Sequence, residues 1–333
     1  MGLYIAALDG GKTRSVCAIL DTKGNILSYA IGKAIGTSLL DSRTVDLNLR
    51  NVVFDALKPS GLSVEDIGVA SFTICDLDTK ELKRSMYRKI VKLGFKGKVI
   101  LEPDFVGAYY VATHGRPGVG VIAGTGSMAY GENRNGKKAR AGGWGWFIND
   151  EGSGVWIGAR ALNAVARAFD GVDRETILLE IVCRELNLKH CLDLVNAAYR
   201  GGNADASLAS RIAPLVDRAA EEGDDQAIRI LQQAARELSL MTLAVSRRLG
   251  LDEDKYTVGC IGSVFKSKIV MDTFKRMLRG ETKAVEFRGP YVDYSPLMGP
   301  VVIAFKRQQH TRSSSEALFE AINKNLRNIP QRS

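Results

Sequence analysis

A short pattern of apolar strand, glycine- and hydroxyl-rich turn and returning strand occurs twice in this chain, about 115 residues apart. The turns read DGGKTRS at residues 9–15 and GTGS at residues 124–127. Their flanking segments are Tyr4–Leu8, Val16–Leu20, Val119–Ala123 and Met128–Tyr130. A polar turn and a third strand follow each copy, which is typical of an antiparallel meander. The repeat therefore predicts a duplicated β-meander core.

Both turns have the composition of phosphate-binding loops. Backbone N–H groups in a glycine-rich turn, with threonine and serine hydroxyls beside them, can bind phosphate oxygens. One such hairpin alone is more often a plain tight turn. Two copies favour a pair of loops that hold one nucleotide from both sides.

Two familiar nucleotide motifs do not explain these turns. Gly11-Lys12-Thr13 ends like a P-loop, but Ala6 stands where its first glycine belongs, and residues 15–20 read as a strand where a P-loop opens a helix. The glycines at 118, 120 and 124 are one residue off G-x-G-x-x-G and precede a hairpin. We therefore predict neither a P-loop nor a Rossmann site.

Composition narrows the function classes. The 333 residues suit two domains, and 45% hydrophobic with 25% charged residues is typical of a soluble globular protein. The net charge is +9, but the basic residues are spread along the chain without interleaved aromatics, so we expect no nucleic-acid partner. A positive field also suits a polyanion such as ATP. Without a signal-peptide pattern or an apolar run of about 18 residues, we expect a cytoplasmic protein and no membrane partner.

Cysteine and histidine spacing argues against a metal centre. The cysteines are Cys17, Cys75, Cys183, Cys191 and Cys260, an odd and scattered set without C-x-x-C. This spacing argues against a disulfide framework, a zinc site and an iron–sulfur cluster. The three histidines lie far apart in the sequence and are not predicted to be ligands.

Helical periodicity dominates the second half of the chain. Residues 175–250 are almost wholly helical in pattern, and Asp225–Leu249 carries one apolar stripe that ends at Gly250. Strands early and helices late in each half predict an α/β architecture. No linker rich in proline or serine separates the halves.

Taken together, these motifs resemble the BadF/BadG/BcrA/BcrD group of the actin/hexokinase/Hsp70 ATPase superfamily, which includes N-acetylglucosamine kinases and archaeal hexokinases. The matching segments, in the family's order across residues 3–305, are residues 9–15 (phosphate 1), 102–104, 122–127 (phosphate 2), 142–146, 150–153 and 259–263 (adenosine). The resemblance implies an α/β clamshell of two ribonuclease-H-like, actin-like ATPase domains. We expect them at residues 1–115 and 116–296, the second with a large helical insertion, and expect C-terminal helices at 297–333 to pack back on the first.

The resemblance also assigns roles to residues. It implies that Asp9 holds Mg²⁺ and that Asp104 is the base that accepts the sugar hydroxyl proton. The implied nucleotide ligands are Gly10, Gly11, Lys12, Thr13, Ser15, Gly124, Thr125, Gly126, Gly262 and Ser263. The implied sugar ligands are Thr37, Ser127, Gly143, Trp144, Gly145 and Asp150.

We therefore predict an ATP- and Mg²⁺-dependent sugar kinase, expected to be a homodimer, that acts on a hydroxyl of a hexose or N-acetylhexosamine. Two departures from the family leave the acceptor open. Lys12 stands where family members usually carry glycine, and Gly36-Thr37-Ser38 replaces a loop that often presents asparagine to the sugar. A kinase of a sugar acid such as 2-keto-3-deoxygluconate is one alternative. An ATPase activator of a dehydratase or reductase is another, although the scattered cysteines argue against it.

Overall fold

The computed structural model describes residues 4–36, 40–200, 203–251, 255–282, 285–292, 294–308 and 315–326. The chain divides into two compact units. Unit 1 comprises Met1–Arg116 with Asp293–Ser333, and unit 2 comprises Pro117–Val292. No helix in these described ranges is long and apolar enough to cross a membrane.

Strands and helices are numbered along the chain. The strands are β1 (Tyr4–Gly10), β2 (Arg14–Asp21), β3 (Ile26–Lys33), β4 (Ile67–Ile74), β5 (Lys98–Pro103), β6 (Gly118–Ala123), β7 (Ser127–Glu132), β8 (Lys138–Gly142), β9 (Tyr199–Arg200), β10 (Asn203–Ala204), β11 (Tyr256–Ile261) and β12 (Val285–Tyr291). The α-helices are α1 (Ser42–Leu57), α2 (Lys80–Val91), α3 (Asp104–Thr113), α4 (Gly154–Phe169), α5 (Leu178–Glu185), α6 (Leu194–Ala198), α7 (Ala206–Glu221), α8 (Asp225–Leu249), α9 (Lys268–Glu281), α10 (Met298–Gln308) and α11 (Ser315–Leu326). Short 3₁₀ helices lie at Lys58–Ser60, Val64–Asp66, Cys191–Asp193 and Ser263–Lys266.

Unit 1 is built on a mixed sheet of order β3-β2-β1-β4-β5. Strands β1, β2 and β3 form the antiparallel meander, and β4 and β5 join β1 in parallel. Helix α1 packs on β2 and β3, and α10 packs on α3, β4 and β1. The three parallel strands therefore end at one edge of the sheet.

Unit 2 repeats this arrangement. Its sheet has the order β12-β11-β6-β7-β8, with β6, β7 and β8 as the meander and β11 and β12 parallel to β6. Helices α4, α5, α7 and α8 pack against one another and contribute to the core of this unit. The prediction of two α/β domains of the actin-like type, the second with a large helical part, is confirmed.

Local sequence explains the main helix boundaries. Asp41 caps α1 by accepting the backbone N–H groups of Arg43 and Thr44, as a short acidic N-cap does. Helix α8 starts after the N-cap Asp224 and ends at Gly250, whose φ of 67° lies in the left-handed region that favours glycine. The stripe predicted for residues 225–249 forms the buried face of α8.

Three sequence predictions need correction. The apolar pattern of the sequence predicts a helix over Gly158–Phe169, but α4 begins at Gly154 because Ser153 caps it by accepting the Trp156 N–H. The helical region is interrupted by the small hairpin β9–β10. Strand β12 was not predicted, since the alternation of Val285 and Phe287 with charged residues is short, Gly289-Pro290 interrupts it, and the strand lies at the edge of its sheet.

Candidate active site

The carboxyl ends of β1, β4 and β5 bring the candidate residues of unit 1 together. Asp9 and Gly10 end β1, Cys75 and Asp76 follow β4, and Asp104 follows β5. The strands are parallel and adjacent, with Asp9 in register with Thr73 of β4. Ligands of open α/β sheets bind at such an edge.

The first glycine turn is held in place by backbone hydrogen bonds. The Gly11 N–H donates to the Arg14 carbonyl at 2.9 Å, and the Gly11 carbonyl accepts the N–H groups of Ile35 and Gly36 at 3.2 Å each. The Gly10 carbonyl accepts the Cys75 N–H at 2.9 Å. The turn is therefore tied both to the end of β4 and to the segment that follows β3.

A cavity of about 290 Å³ opens beside this turn. Its walls include Asp9, Gly11, Lys12, Thr13 and Asp104, all of them predicted site residues. The cavity is therefore a single place where the predicted phosphate-binding turn meets two carboxylates.

Asp9 is almost buried, with 8% of its surface exposed. The Thr73 hydroxyl donates to Asp9 Oδ1 at 3.3 Å. Within the described residues, no group of three or more His, Cys, Asp or Glu side chains could hold a metal ion. A single carboxylate still fits Mg²⁺, which takes oxygen ligands and commonly uses one or two carboxylates with substrate phosphates and water.

Asp104 is exposed and is the first residue of α3, directly after the N-cap. Pro103 is the N-cap, and it contributes no side-chain hydrogen bond there. Asp104 Oδ1 instead accepts the N–H of Phe105 at 2.8 Å. A carboxylate in the first turn is favoured by the helix dipole, and its exposed position makes it accessible to a substrate hydroxyl.

Lys12 projects from the tip of the turn and forms an ion pair with Asp76. Lys12 Nζ lies 3.1 Å from Asp76 Oδ1, and the two side chains are 56% and 15% exposed. The Asp76 hydrogen bond is the main cause that raises the pKa of Lys12 above its usual value, so the ammonium form is favoured. Asp76 itself has a φ of 60°, an uncommon conformation for a residue with a Cβ.

Arg14 lines the same cavity and was not among the predicted site residues. Its Nη2 is buried and has no hydrogen-bond partner within the described parts of the chain. A buried guanidinium nitrogen without an acceptor is costly, so an anionic ligand at this wall would satisfy it.

Two predicted ligands of unit 1 face elsewhere. The Ser15 hydroxyl donates to the Lys33 carbonyl at 2.7 Å, and Ser15 is 1% exposed. Gly10 is packed so closely that a Cβ there would lie 2.6 Å from Ile35 Cγ1. Both residues shape the turn, whereas Thr37 lies outside the described residues.

The second glycine turn is connected to the start of α4. Gly154 N–H donates to the Gly124 carbonyl at 2.7 Å, and Val155 N–H donates to the Thr125 carbonyl at 3.3 Å. The turn itself closes through Gly124 N–H and the Gly126 carbonyl at 3.0 Å. These bonds occupy the amide groups of Gly154 and Val155, so the start of α4 does not offer these two donors to an anion.

Asp150 lies directly over the second turn. A Cβ on Gly126 would come within 2.8 Å of Asp150 Oδ2. Burial raises the pKa of Asp150, against the opposing effect of backbone hydrogen bonds from Ser127 and Gly145. The Ser127 hydroxyl donates to the Glu151 carbonyl at 2.7 Å. The structure therefore joins three predicted sugar ligands with the second turn in one cluster.

Gly262 brings the predicted adenosine segment against this turn. Its φ is 102°, and a Cβ there would lie 2.6 Å from the Ala123 carbonyl carbon and 3.1 Å from the Gly124 nitrogen. Only glycine allows such a close approach of two backbones. Ser263, which follows at the start of a 3₁₀ helix, is exposed.

The aromatic segment after β8 is exposed. Gly143 N–H donates to the Ser127 carbonyl at 3.0 Å, which ties the segment to the second turn. Trp144 is 62% exposed, and the Arg140 guanidinium lies 5.4 Å from its ring centroid. Phe147 and Ile148 are also exposed. Gly145, with a φ of 91°, forms the sharp turn between these side chains.

Sequence reasoning missed Cys75 and Arg14, which line the first cavity, and Asp76, which pairs with Lys12 beside it. The apolar pattern of the sequence predicts a strand over Ile67–Phe72, two residues short of the observed end of β4 at Ile74. Polar residues that directly follow a parallel strand are candidates for ligand binding, and this criterion would have identified Asp76. No sequence signal distinguished Arg14 from the other basic residues.

Comparison with known proteins agrees with this geometry. The model of the BadF/BadG/BcrA/BcrD ATPase family matches residues 8–304. The chain belongs to this family. Its residues are 34% identical over 278 residues to an N-acetylmuramic acid/N-acetylglucosamine kinase of Clostridium acetobutylicum, covering 83% of this chain and 90% of the relative. Identity with an N-acetyl-D-glucosamine kinase of Dictyostelium discoideum is 26%, over 91% and 98% of the two chains.

Solved structures show the same fold in this family and beyond it. A Chromobacterium violaceum protein proposed to be an N-acetylglucosamine kinase superposes with a TM-score of 0.66 at 22% identity, covering 91% of this chain and 99% of that chain. A ROK hexokinase from Thermus thermophilus gives 0.56 at 16% identity, covering 92% and 100%. At these identities the similarity supports the two-domain fold.

Proposed function

We propose that this family member is an ATP-dependent sugar kinase that transfers the γ-phosphoryl group to a hydroxyl of an N-acetylhexosamine or hexose, with N-acetylglucosamine as the first candidate. The observation that carries the proposal is the cavity that joins the first glycine turn to Asp9 and Asp104. The names of the two relatives described above supply the acceptor class.

Asp104 is the proposed general base. A sugar hydroxyl is a weak nucleophile near pH 7, so its proton must leave as the oxygen attacks phosphorus. Asp104 is exposed at the cavity and uses Oδ1 to accept the Phe105 N–H. Helix α3 therefore fixes the carboxylate through this bond while leaving it accessible to the acceptor.

The glycine turns and Asp9 are the proposed ligands of the nucleotide and its metal. Amide and hydroxyl donors of residues 12–13 and 125–126 would bind phosphate oxygens, Gly10, Gly11 and Gly124 would hold the turns in shape, and Gly262 with Ser263 would border the adenosine. Asp9 would hold Mg²⁺, which supplies charge neutralisation at the phosphates when bound. The partial burial of Asp9 and its hydrogen bond from Thr73 keep the carboxylate oriented.

Asp150 and the aromatic segment are the proposed sugar ligands. Asp150 is held by the amides of Ser127 and Gly145, so a carboxylate oxygen has a defined position from which to accept a sugar hydroxyl. Gly143 and Gly145 both have positive φ and turn the chain on either side of Trp144, which offers an exposed aromatic surface. The Ser127 hydroxyl is bonded to the Glu151 carbonyl, so we propose a supporting role for it.

A sugar acid is the second candidate acceptor. Lys12 and Arg14 both line the cavity that contains Asp104, and cations there would attract a carboxylate. The relative named for N-acetylmuramic acid, itself a sugar acid, is compatible with this reading. A kinase of 2-keto-3-deoxygluconate therefore remains a defined alternative.

A panel of acceptors tests the proposal. Purified protein with ATP and Mg²⁺ would be incubated with N-acetylglucosamine, N-acetylmuramic acid, glucosamine, glucose and 2-keto-3-deoxygluconate, and ADP release and product mass would be measured. We expect the highest kcat/KM with an N-acetylhexosamine and none without Mg²⁺. Turnover of 2-keto-3-deoxygluconate alone would favour the second candidate, and ADP release without any phosphorylated sugar would refute both.

The Asp104→Asn variant tests the mechanism. The amide preserves the size and the Phe105 hydrogen bond but removes basicity, so kcat should fall by about 10²–10⁴ with ATP affinity nearly unchanged. Asp78→Asn is a matched control, since Asp78 is also exposed and is not a cavity-lining residue. A kcat within about threefold of the parent would make Asp104 a helix-terminus residue only, with Asp150 the next candidate.

We also propose a reducing, cytoplasmic setting and a homodimeric state. All five cysteines are free thiols, and Cys17, Cys75 and Cys260 are buried, which suits a reducing compartment. Light scattering of the purified protein would test the dimer.

A further inference from the structure

Lys12 lies at the first turn, in the cavity where the phosphoryl group would be transferred. Its ammonium group lines the same cavity as Asp9 and Asp104, and the charge of Asp104 contributes to the raised pKa of Lys12. A cation between a phosphate-binding turn and a candidate base lies where negative charge develops during phosphoryl transfer.

Asp76 is the residue that fixes this cation. Its carboxylate is largely buried and holds Lys12 Nζ at 3.1 Å. The Cys75 thiol also donates to Asp76 Oδ2, at 3.8 Å. A lysine without this partner would lose the rotational freedom of several bonds each time that it bound a phosphate. Because the ion pair already restricts Lys12, the entropic cost of binding phosphate is lower.

Asp76 makes this contact from an uncommon backbone conformation. A φ of 60° costs a residue with a Cβ energy that glycine would not lose, and such conformations concentrate at functional sites. Gly36 packs closely against this residue pair, because a Cβ on Gly36 would lie 2.9 Å from Cys75 Sγ and 3.1 Å from Asp76 Oδ2. The strand end, the turn and the segment after β3 therefore meet at the Lys12–Asp76 pair.

We propose that Lys12 binds the γ-phosphoryl group of ATP and stabilises it during transfer, and that Asp76 is the positioning residue that holds Lys12 in place. This inference rests on the proposed kinase function. It adds Asp76 to the active site and assigns Lys12 to the γ-phosphate, not to the α- or β-phosphate.

Nucleotide binding tests the assignment without any acceptor. The dissociation constants of ADP and of a non-hydrolysable ATP analogue would be measured by calorimetry with Mg²⁺ for the parent, Lys12→Met and Lys23→Met. Lys23 is a matched control, an exposed lysine in the next turn of the same sheet. We expect Lys12→Met to weaken the analogue about tenfold more than ADP, and Lys23→Met to change neither, because only the analogue carries a γ-phosphate. Equal weakening of both ligands, or none, would overturn the assignment.

Two substitutions of Asp76 separate positioning from a structural role. Asp76→Gly removes the carboxylate and relieves the positive φ, so the protein should unfold at the same or a higher urea concentration. Its kcat should nevertheless fall about tenfold with little change in the KM of the sugar. Asp76→Asn should lower kcat less, because an amide oxygen can still accept from Lys12. Full activity of Asp76→Gly would overturn the positioning role.

A double-mutant cycle closes the test. If Asp76 acts through Lys12, adding Asp76→Gly to Lys12→Met should lower kcat by less than about twofold, far below the effect in the parent. Independent, multiplying losses would refute the coupling. If the parent phosphorylates no sugar, the kinase proposal fails by itself, whereas the calorimetric comparison still decides whether Lys12 binds the γ-phosphate.

Discussion

Replacing Gly262 by alanine should destabilise unit 2 severely. The φ of 102° and ψ of 165° belong to a region that is almost restricted to glycine, and holding alanine there costs about 1–3 kcal/mol. The new methyl would also lie 2.6 Å from the Ala123 carbonyl carbon. Carbon atoms pack at about 3.5–4.0 Å, so the end of β6 must move by about 1 Å. Such overpacking typically costs about 1–3 kcal/mol more. The expected loss is therefore about 2–6 kcal/mol.

Gly171→Ala is the matched control for this prediction. Gly171 also has a positive φ, 70°, but apart from its chain neighbours no atom of the part of the chain that the structure describes lies within 4 Å of a Cβ added there. Alanine there should cost only the left-handed backbone energy, about 1–2 kcal/mol. The difference between the two variants therefore isolates the close approach of two backbones.

Tryptophan fluorescence in urea is a suitable assay. The three tryptophans, Trp144, Trp146 and Trp156, all lie in unit 2 with both glycines, so the signal reports that unit. Because Gly262 borders the second turn, Gly262→Ala should also lose the stabilisation that saturating ATP gives the parent, about 2.7 kcal/mol at a hundredfold excess over Kd. Equal losses of stability in the two variants, within about 0.5 kcal/mol, would refute the close-approach argument.

Three further outcomes are expected. Among the described residues, no atom other than those of its chain neighbours lies within 4 Å of a methyl added by Gly124→Ala, so urea unfolding should not change. Calorimetric ATP affinity should still fall at least about tenfold, because the methyl lies on the phosphate-binding turn. Unchanged affinity would exclude this turn as a phosphate ligand. Burial raises the pKa of Asp150, so the native state holds the Asp150 proton more strongly than the unfolded state does. The stability of the parent relative to Asp150→Asn should therefore fall as pH rises from about 4 through the folded pKa. Urea midpoints of the parent that rise over this range, relative to those of the variant, would contradict this sign. Glu102 is 5% exposed and accepts hydrogen bonds from Lys83 at 2.7 Å and from Arg307 at 2.6 Å. Glu102→Gln should lower the free energy of unfolding by about 1–3 kcal/mol, at the low end because both cations can reach water, as measured by circular dichroism in urea. A stability equal to that of the parent would show that the ion pairs contribute nothing.

The fold was predictable because the sequence repeats its most restrictive element. Each glycine turn lies between short apolar segments, and turn chemistry of this kind determines a hairpin almost locally. The order of the parallel strands needed tertiary information. Strand β12 shows the limit, since its charged and proline-containing sequence becomes a strand only by pairing with β11.

The candidate site was predictable where a backbone motif carries it and not where a side-chain contact does. Asp9 and Asp104 could be named because each follows a recognisable strand, and both line one cavity. Asp150 and Gly126 lie close together although they are 24 positions apart in the sequence, and no periodicity predicts such a contact. The hydroxyl of Ser15 illustrates the opposite error, since a residue of the motif donates to the Lys33 carbonyl.

The Lys12–Asp76 pair explains how an unusual residue can be accommodated in a glycine turn. A lysine in place of glycine adds a charge and a long side chain beside the phosphates, and alone it would be free to occupy many rotamers. The carboxylate that restrains it lies 64 positions away in sequence, at the end of a strand parallel to β1, and adopts the φ of 60° itself. The lysine in the glycine turn and the aspartate with positive φ would each be unfavourable alone, but together they form one ion pair at the cavity. If the pair serves phosphoryl transfer, relatives with glycine at the first position have no need of the carboxylate at the second, and the two positions should change together.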